Sequence, residues 1–273
     1  MQAIKAKGES GEPILLDERR DGILRLTLNN PARRNSLSEA MMAALQAQLD
    51  AAAQDNETRV IVIGHHGPAF SAGHDLRELD AGRQAPDHGR AYFTDIMNRC
   101  STLMQTVVNH PRPVIADVRG IATAAGCQLV ASCDIVIASD GSRFATPGVN
   151  IGLFCSTPMV ALSRKVGQNN AMEMLLTGEF IDAARAREIG LVTRVVEAGS
   201  QDEVVAALAA RIASKSLMTL KTGKQAFYQQ ADMPLADAYA HTVEVMIGNM
   251  LKHDAKEGVA AFLEKREPRW RDE

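Results

Sequence analysis

The chain has 273 residues, 46% of them hydrophobic and 23% charged, which suits a soluble globular protein with one sizeable core. A formal charge of −3 and a pI near 6.2 remove any net-charge argument for nucleic acid or an anionic membrane as the main partner. Cys100, Cys127, Cys133 and Cys155 form no CxxC pair and read as the reduced thiols of a cytoplasmic protein.

Residues 1–13, MQAIKAKGESGEP, lack the apolar segment of a signal peptide and read as a flexible tail. ILLDERRDGILRLTLN, 14–29, predicts two strands joined at Asp21-Gly22, a two-residue hairpin signal. Ser36-Leu37-Ser38-Glu39 is worded like a capping box, after which Leu37, Met41, Leu45, Leu49 and Ala52 recur at helical spacing. A β-branched strand follows at 59–63, then a small-residue loop at 67–75 and a charged, Gly/Pro-punctuated loop at 77–90. Residues 90–109 predict a helix stopped by Pro111 and Pro113, and 114–118 a strand.

The stretch 120–152, GIATAAGCQLVASCDIVIASDGSRFATPGVNIG, reads as loop, short helix, buried strand at 134–138, and loop. Its most apolar part is interrupted by Gln128 and Asp134, as a protein core is and a membrane span is not. Helices are expected at 157–166, 168–176, 182–189, 201–213, 217–230, 235–252 and 255–265, with a strand at 193–196. Strands alternating with helices, then a helical tail, predict an α/β core with a helical appendage. The expected division is a tail at 1–13, a core at 14–214 and a C-terminal helical lobe at 215–273.

GxGxxG, P-loop, HExxH and GxSxG motifs are all lacking, so nicotinamide, nucleotide-driven, zinc-protease and α/β-hydrolase chemistry have no support. His65 and His66 are neighbours on or just after a strand and face opposite ways, so no metal site is expected. A loop of small residues running into a helix start presents unpaired N–H groups and a partial positive charge, and the small residues let a ligand approach the backbone.

PARRNSLS at 31–38, PAFSAGHDL at 68–76, the 120–152 stretch and GVAAFLEKREPRW at 258–270 occur in this order. Together they resemble the enoyl-CoA hydratase/isomerase (crotonase) superfamily over residues 14–270. The wording ATAAGCQLVASCDI and FATPGVNIGLFCSTP is nearest to its enoyl-CoA hydratase domain-containing protein 3 branch. The resemblance implies an α/β crotonase (ClpP/crotonase-like) fold, a spiral of ββα units with a C-terminal helical trimerisation lobe. It also implies a homo-trimer or a hexamer of two trimers. The partner would be an acyl-CoA thioester, with CoA as part of the substrate and no separate cofactor.

By the same resemblance the thioester carbonyl is held by the backbone N–H groups of His74 and Ala125, which stabilise an enolate as charge moves to oxygen. The family's two catalytic glutamates fall at Gln128 and Gly148. Arg33, Arg34, Ala72, Phe262 and Lys265 fall at CoA-contacting positions, the last two reaching a neighbouring subunit. Asp75 and Asp134 read as structural. Thr146, Asn150, Cys155, Ser156 and Thr157 are the other polar residues near the missing pair, and Met97, Met104, Leu153 and Phe154 could line either an acyl pocket or ordinary core.

An amide has no useful proton to move near neutral pH, and general acid–base groups are each worth about 10²–10⁴ in rate. Hydration of a 2-enoyl-CoA at a low rate is therefore the first expectation. The alternatives are other enolate chemistry (isomerase, decarboxylase or thioesterase), a catalytically silent thioester binder, or a purely structural oligomer. Installing Gln128→Glu with Gly148→Glu is expected to raise hydration.

Overall fold

In the computed structural model, which describes residues 6–9 and 11–273, β1 (Leu15–Arg20) and β2 (Ile23–Leu28) pair antiparallel with Arg20 opposite Ile23. Asp21 and Gly22 both take positive φ, 50° and 77°, as a two-residue hairpin turn matched to strand twist requires. Of the expected tail, residues 1–5 and Ser10 lie outside the described residues. The described part folds back, Ile14 donating its N–H to the Ala6 carbonyl at 3.0 Å.

The helix α1 (Glu39–Gln54) departs from the expected capping box. Its N-cap is Ser38, whose hydroxyl accepts the Met41 N–H, and the Glu39 N–H is received by the Glu78 carboxylate at 2.9 Å. Ser36 instead donates to Asp75. The chain continues through β3 (Val60–His65) and β4 (Ala69–Ser71) into α2 (Leu76–Arg83), where the sequence predicts only loop. Asp75 starts α2 by accepting the Arg77 N–H, and Leu79 packs it on the core; one partly buried leucine is too weak a periodic signal to read.

Next come α3 (Arg90–Asn109), β5 (Val114–Val118), β6 (Ile121–Thr123), α4 (Ala125–Ser132), β7 (Ile135–Ser139) and β8 (Arg143–Ala145). They are followed by α5 (Ser156–Lys165), α6 (Gln168–Thr177), β9 (Ile181–Asp182), α7 (Ala183–Glu188), β10 (Arg194–Val196) and α8 (Gln201–Ala213). Three helices close the chain: α9 (Leu217–Gln230), α10 (Leu235–Met250) and α11 (His253–Glu264).

The strands form a six-stranded sheet ordered β1-β2-β3-β5-β7-β10 and a four-stranded sheet ordered β4-β6-β8-β9. From β2 onward the larger sheet is parallel, with Ile63 beside Ala116 and Ala116 beside Val136. Each turn lays one strand in the larger sheet and the next in the smaller before a helix follows: β3-β4-α2, β5-β6-α4, β7-β8-α5. This is the expected spiral of ββα units.

Both faces of the larger sheet are covered, as parallel sheets require. Leu24, Leu26 and Leu28 belong to the same buried cluster as Met41, Leu45 and Leu49 of α1, while Val60, Val62, Ile115 and Ile137 pack with Val205, Leu208 and Ala209 of α8. The closing helices are tied to this core by Lys224 of α9. Its ammonium donates to the Val107 and Arg112 carbonyls and to Asp134 at 2.8 Å, while Tyr228 donates to the other Asp134 oxygen at 2.9 Å. One face of α10 stays open, exposing Leu235, Tyr239, Val243, Met246 and Met250.

Burial holds the imidazoles of His65, His74 and His110 below their ordinary pKa. At pH above about 6.5 both folded and unfolded chains keep them neutral, so no penalty exists. As pH falls through that value the unfolded chain binds protons first, and folding loses up to about 1.4 kcal/mol per pH unit for each histidine. The melting temperature should therefore be level from pH 7 to 8 and decline below about pH 6.5. A pH series by calorimetry checks this, with a shallower decline expected for His65→Gln.

Candidate active site

The loop 71–75 follows β4, and α4 follows β6; these strands are parallel neighbours, so both segments leave the smaller sheet at one edge. The loop is pinned on both sides of His74. Ala72 donates to the Arg34 carbonyl at 3.0 Å, Gly73 accepts the Leu37 N–H at 2.8 Å, and the Gly73 N–H meets the Ser71 hydroxyl at 3.3 Å. The His74 N–H itself has no acceptor among the described residues.

Across from it, Ala124 donates to the Ala145 carbonyl and Gln128 closes the first turn of α4 on the Ala124 carbonyl, both at 3.0 Å. Ala125, the first helical residue, has an N–H with no acceptor among the described residues, as a helix start does unless something caps it. The preceding Ala124 sits at φ 49°, ψ −120°, a conformation nearly confined to glycine and costing a side-chain-bearing residue about 1–3 kcal/mol. That strain sets the peptide that carries the Ala125 N–H.

Two glycines make the approach possible. A Cβ on Gly73 would stand 3.1 Å from the Ala125 nitrogen and 2.9 Å from the Ala124 Cβ, and one on Gly126 would stand 2.2 Å from the Ser71 carbonyl oxygen. Without those atoms α4 seats directly on the β4 backbone and the Ala125 N–H stays uncovered. Two unpaired N–H groups on adjoining backbones are the elements of an oxyanion hole.

The His74 imidazole is a separate matter. Both ring nitrogens are buried without a hydrogen-bond partner, and desolvation depresses the pKa; the Leu37 carbonyl opposes that shift without reaching hydrogen-bond geometry. The ring is neutral at pH 7.

Gln128 lies one turn into α4, 5% exposed, with its carbonyl oxygen 3.9 Å from the Cys100 sulfur and no protein partner for its NH₂ among the described residues. Gly148 is closed off. It accepts the Leu153 N–H at 2.9 Å, and a Cβ there would lie 2.5 Å from the Leu153 oxygen and 2.9 Å from the Cys155 sulfur. Cys155 thus fills the space where a side chain at 148 would begin. Burial raises its thiol pKa, partly offset by the Gly148 N–H, so the thiol stays protonated near neutrality. The Thr146 hydroxyl is spent on the Met174 carbonyl at 2.9 Å, while Asn150 and Ser156 are exposed.

The remaining positions divide. Arg34 is exposed and joined to the hole through its carbonyl, whereas Arg33 is paired with Glu9 at 2.6 Å. Phe262 and Lys265, on and just after α11, are open to solvent, and no described hydrogen bond or ion pair joins α11 to the 71–75 loop or to α4. Met104 is buried on α3 and Met97 is partly buried against the same core cluster, while Leu153 and Phe154 are exposed. His65 accepts the Arg119 N–H and His66 pairs with Asn29, and no metal-ligand cluster occurs among the described residues. Sequence reasoning missed the strained Ala124 and the Leu153 carbonyl. Gly152, left-handed at φ 75°, is the one sequence signal for the tight return at Leu153.

A profile described as enoyl-CoA hydratase/isomerase matches residues 18–273. The chain belongs to the enoyl-CoA hydratase/isomerase family. It is 47% identical to the rat enoyl-CoA hydratase domain-containing protein 3 over 96% of this chain and 86% of that one. Among solved structures it resembles an enoyl-CoA hydratase of Mycobacterium smegmatis, with TM-score 0.91 and 47% identity over 95% of this chain and 99% of that one. The human domain-containing protein 3 structure superposes with TM-score 0.90 and 47% identity, over 94% and 100% of the two chains. The crotonase fold expected from sequence is the fold found.

These comparisons correct the expected compartment. The rat, human and mouse relatives are all named as mitochondrial, pointing to mitochondria rather than the cytoplasm. Free thiols separate reducing from oxidising compartments but do not distinguish one reducing compartment from another.

The closed space at Gly148 also corrects the expected double substitution. Gly148→Glu should unfold or displace the Leu153 return, at a cost of about 1–3 kcal/mol or more. Thermal melts of Gly148→Ala and Gly148→Glu check this; a Gly148→Glu protein as stable as the parent would show that the loop yields freely.

Proposed function

We propose that this protein binds an acyl-CoA thioester and stabilises negative charge on its carbonyl oxygen through the His74 and Ala125 N–H groups. The observation that carries this reading is the pair of acceptor-free backbone N–H groups kept open by Gly73 and Gly126. Arg34, whose carbonyl accepts the Ala72 N–H, and the Ala72 backbone are assigned to CoA, with Arg33 once freed from Glu9. CoA arrives as part of the substrate, and no separate cofactor is assigned.

Hydration of a 2-enoyl-CoA is the assigned reaction, and it is slow. The amide NH₂ of Gln128 orients water without taking its proton, and no carboxylate stands at 148. A silent thioester binder is the second reading, favoured by one observation: the Leu153 carbonyl and the Cys155 thiol occupy the space a second acid–base group would need.

The open face of α10, with apolar residues at 235, 239, 243, 246 and 250, supports self-association through the closing helices. A trimer, or a hexamer of two trimers, is assigned, in which Phe262 and Lys265 reach a neighbour's CoA.

Crotonyl-CoA serves for both binding and turnover. Saturable stabilisation on adding the thioester is expected, with hydration at least about a hundredfold below the usual 1–10³ s⁻¹. Gln128→Glu alone should raise turnover, and Gly73→Ala, whose Cβ would stand 3.1 Å from the Ala125 nitrogen, should weaken binding, with circular dichroism and a thermal melt reporting the strain it adds at φ 89°. Ordinary hydratase turnover in the parent protein would refute the slow-reaction reading; binding unaffected in a folded Gly73→Ala protein would refute the hole.

A further inference from the structure

A second cleft lies at the opposite end of the strands of the six-stranded sheet. Gly22, Arg59 and Arg112 stand immediately before, or within two residues of, the starts of β2, β3 and β5, whereas the hole lies beyond the ends of β3 and β5. At about 3.3 Å per residue, the six residues of β3 put roughly 20 Å of strand between the two. The cleft holds about 800 Å³, within the range of small-molecule sites, and its walls are polar.

Four cations line it: Arg59, Arg112, Lys221 and Arg271. Arg59 is already paired with Asp272 at 2.8 and 3.1 Å, and the same carboxylate accepts the Leu217 N–H. The other three have no carboxylate within 4.0 Å among the described residues. Lys221 and Arg271 make no side-chain hydrogen bond there either. Arg112 is 4% exposed; its guanidinium makes a single hydrogen bond, to the Asp55 carbonyl at 3.0 Å, and its Nε is buried with no acceptor.

A buried guanidinium is costly unless an anion meets it, and burial lowers the Arg112 pKa accordingly. The acidic groups nearby do not meet it. Asp55 turns its carboxylate to Thr58, the Glu57 N–H and Arg19, so its charge moderates Arg112 only from a distance. Asp21 is exposed beside Arg20, and Glu57 is exposed.

We infer that this cleft binds a small multivalent oxyanion, a phosphate or clustered carboxylates, held by the planar fork of Arg112 with Lys221 and Arg271 closing over it. Arginine matches either group bidentately, and the two flexible cations supply charge without needing fixed geometry. Three unpaired cations favour a ligand carrying two or more negative charges.

Calorimetric titration and thermal shift with inorganic phosphate, pyrophosphate and tricarballylate, each against sodium chloride at matched ionic strength, test the inference on the full chain. Saturable binding to at least one of the three is expected. Response to the phosphates alone identifies a phosphate ligand, and response to tricarballylate a carboxylate one. Lys221→Glu and Arg271→Glu change exposed side chains, should fold normally, and should each weaken binding at least tenfold. Arg112→Lys keeps the charge, loses the fork, and should weaken it further. A response that follows ionic strength only, or that survives Lys221→Glu with Arg271→Glu unchanged, overturns the site.

Discussion

The contact on which the site depends is backbone against backbone: the start of α4 seated on the end of β4. Gly126 lets the helix reach the Ser71 carbonyl, Gly73 leaves the Ala125 N–H open, and Ala124 accepts a left-handed conformation to make the turn. None of this involves a polar side chain. The strain at Ala124 persists because its neighbours over-determine it: the Ala124 N–H is fixed on Ala145, a residue of β8, and its carbonyl on Gln128. In the proposed function the binding feature is made of main chain, and such a feature survives wide change in the side chains around it.

Under the proposed reading, in which Gln128 and Gly148 stand at the positions of the family's two glutamates, the electrostatics change as well as the proton traffic. Two carboxylates beside an enolate repel it when ionised, and in a water-poor site that repulsion is strong. Gln128 and the protonated Cys155 are neutral, so an anionic oxygen at the hole meets donors without an opposing charge. The neutral His74 ring adds no cation either. In the proposed function such a site favours holding a charged intermediate over moving protons to and from it.

The larger sheet and the long helices were legible because their signals are long: alternation through β2, and helical spacing through α1 and α3. The smaller sheet was not. β4, β6, β8 and β9 have two or three residues each, too few for any period to show; the first three lie inside segments that read as loop, and β9 falls at the start of the helix expected from 182. The start of α1 was misread because a local capping box and a long-range cap look alike in sequence; only the fold brings Glu78 to the Glu39 N–H. Motif wording led to the His74 and Ala125 segments, which the fold brings to one end of the smaller sheet, whereas the closure at Gly148 depends on the Leu153 carbonyl, a main-chain atom whose placement no residue identity announces.

The two ends of α4 show how the closing helices bear on the site. Its N-terminus faces the hole, and its C-terminus meets cations: Lys165 donates to the Cys133 carbonyl and Lys224 to Asp134, both at 2.8 Å. Positive charge at a helix C-terminus complements the helix dipole whose opposite end would face the oxyanion. Lys224 is on α9 and Asp134 directly follows the C-cap of α4, so the helical lobe grips the element that carries both Ala125 and Gln128. Packing another copy against the exposed face of α10 would brace α9 and so hold α4 by its far end.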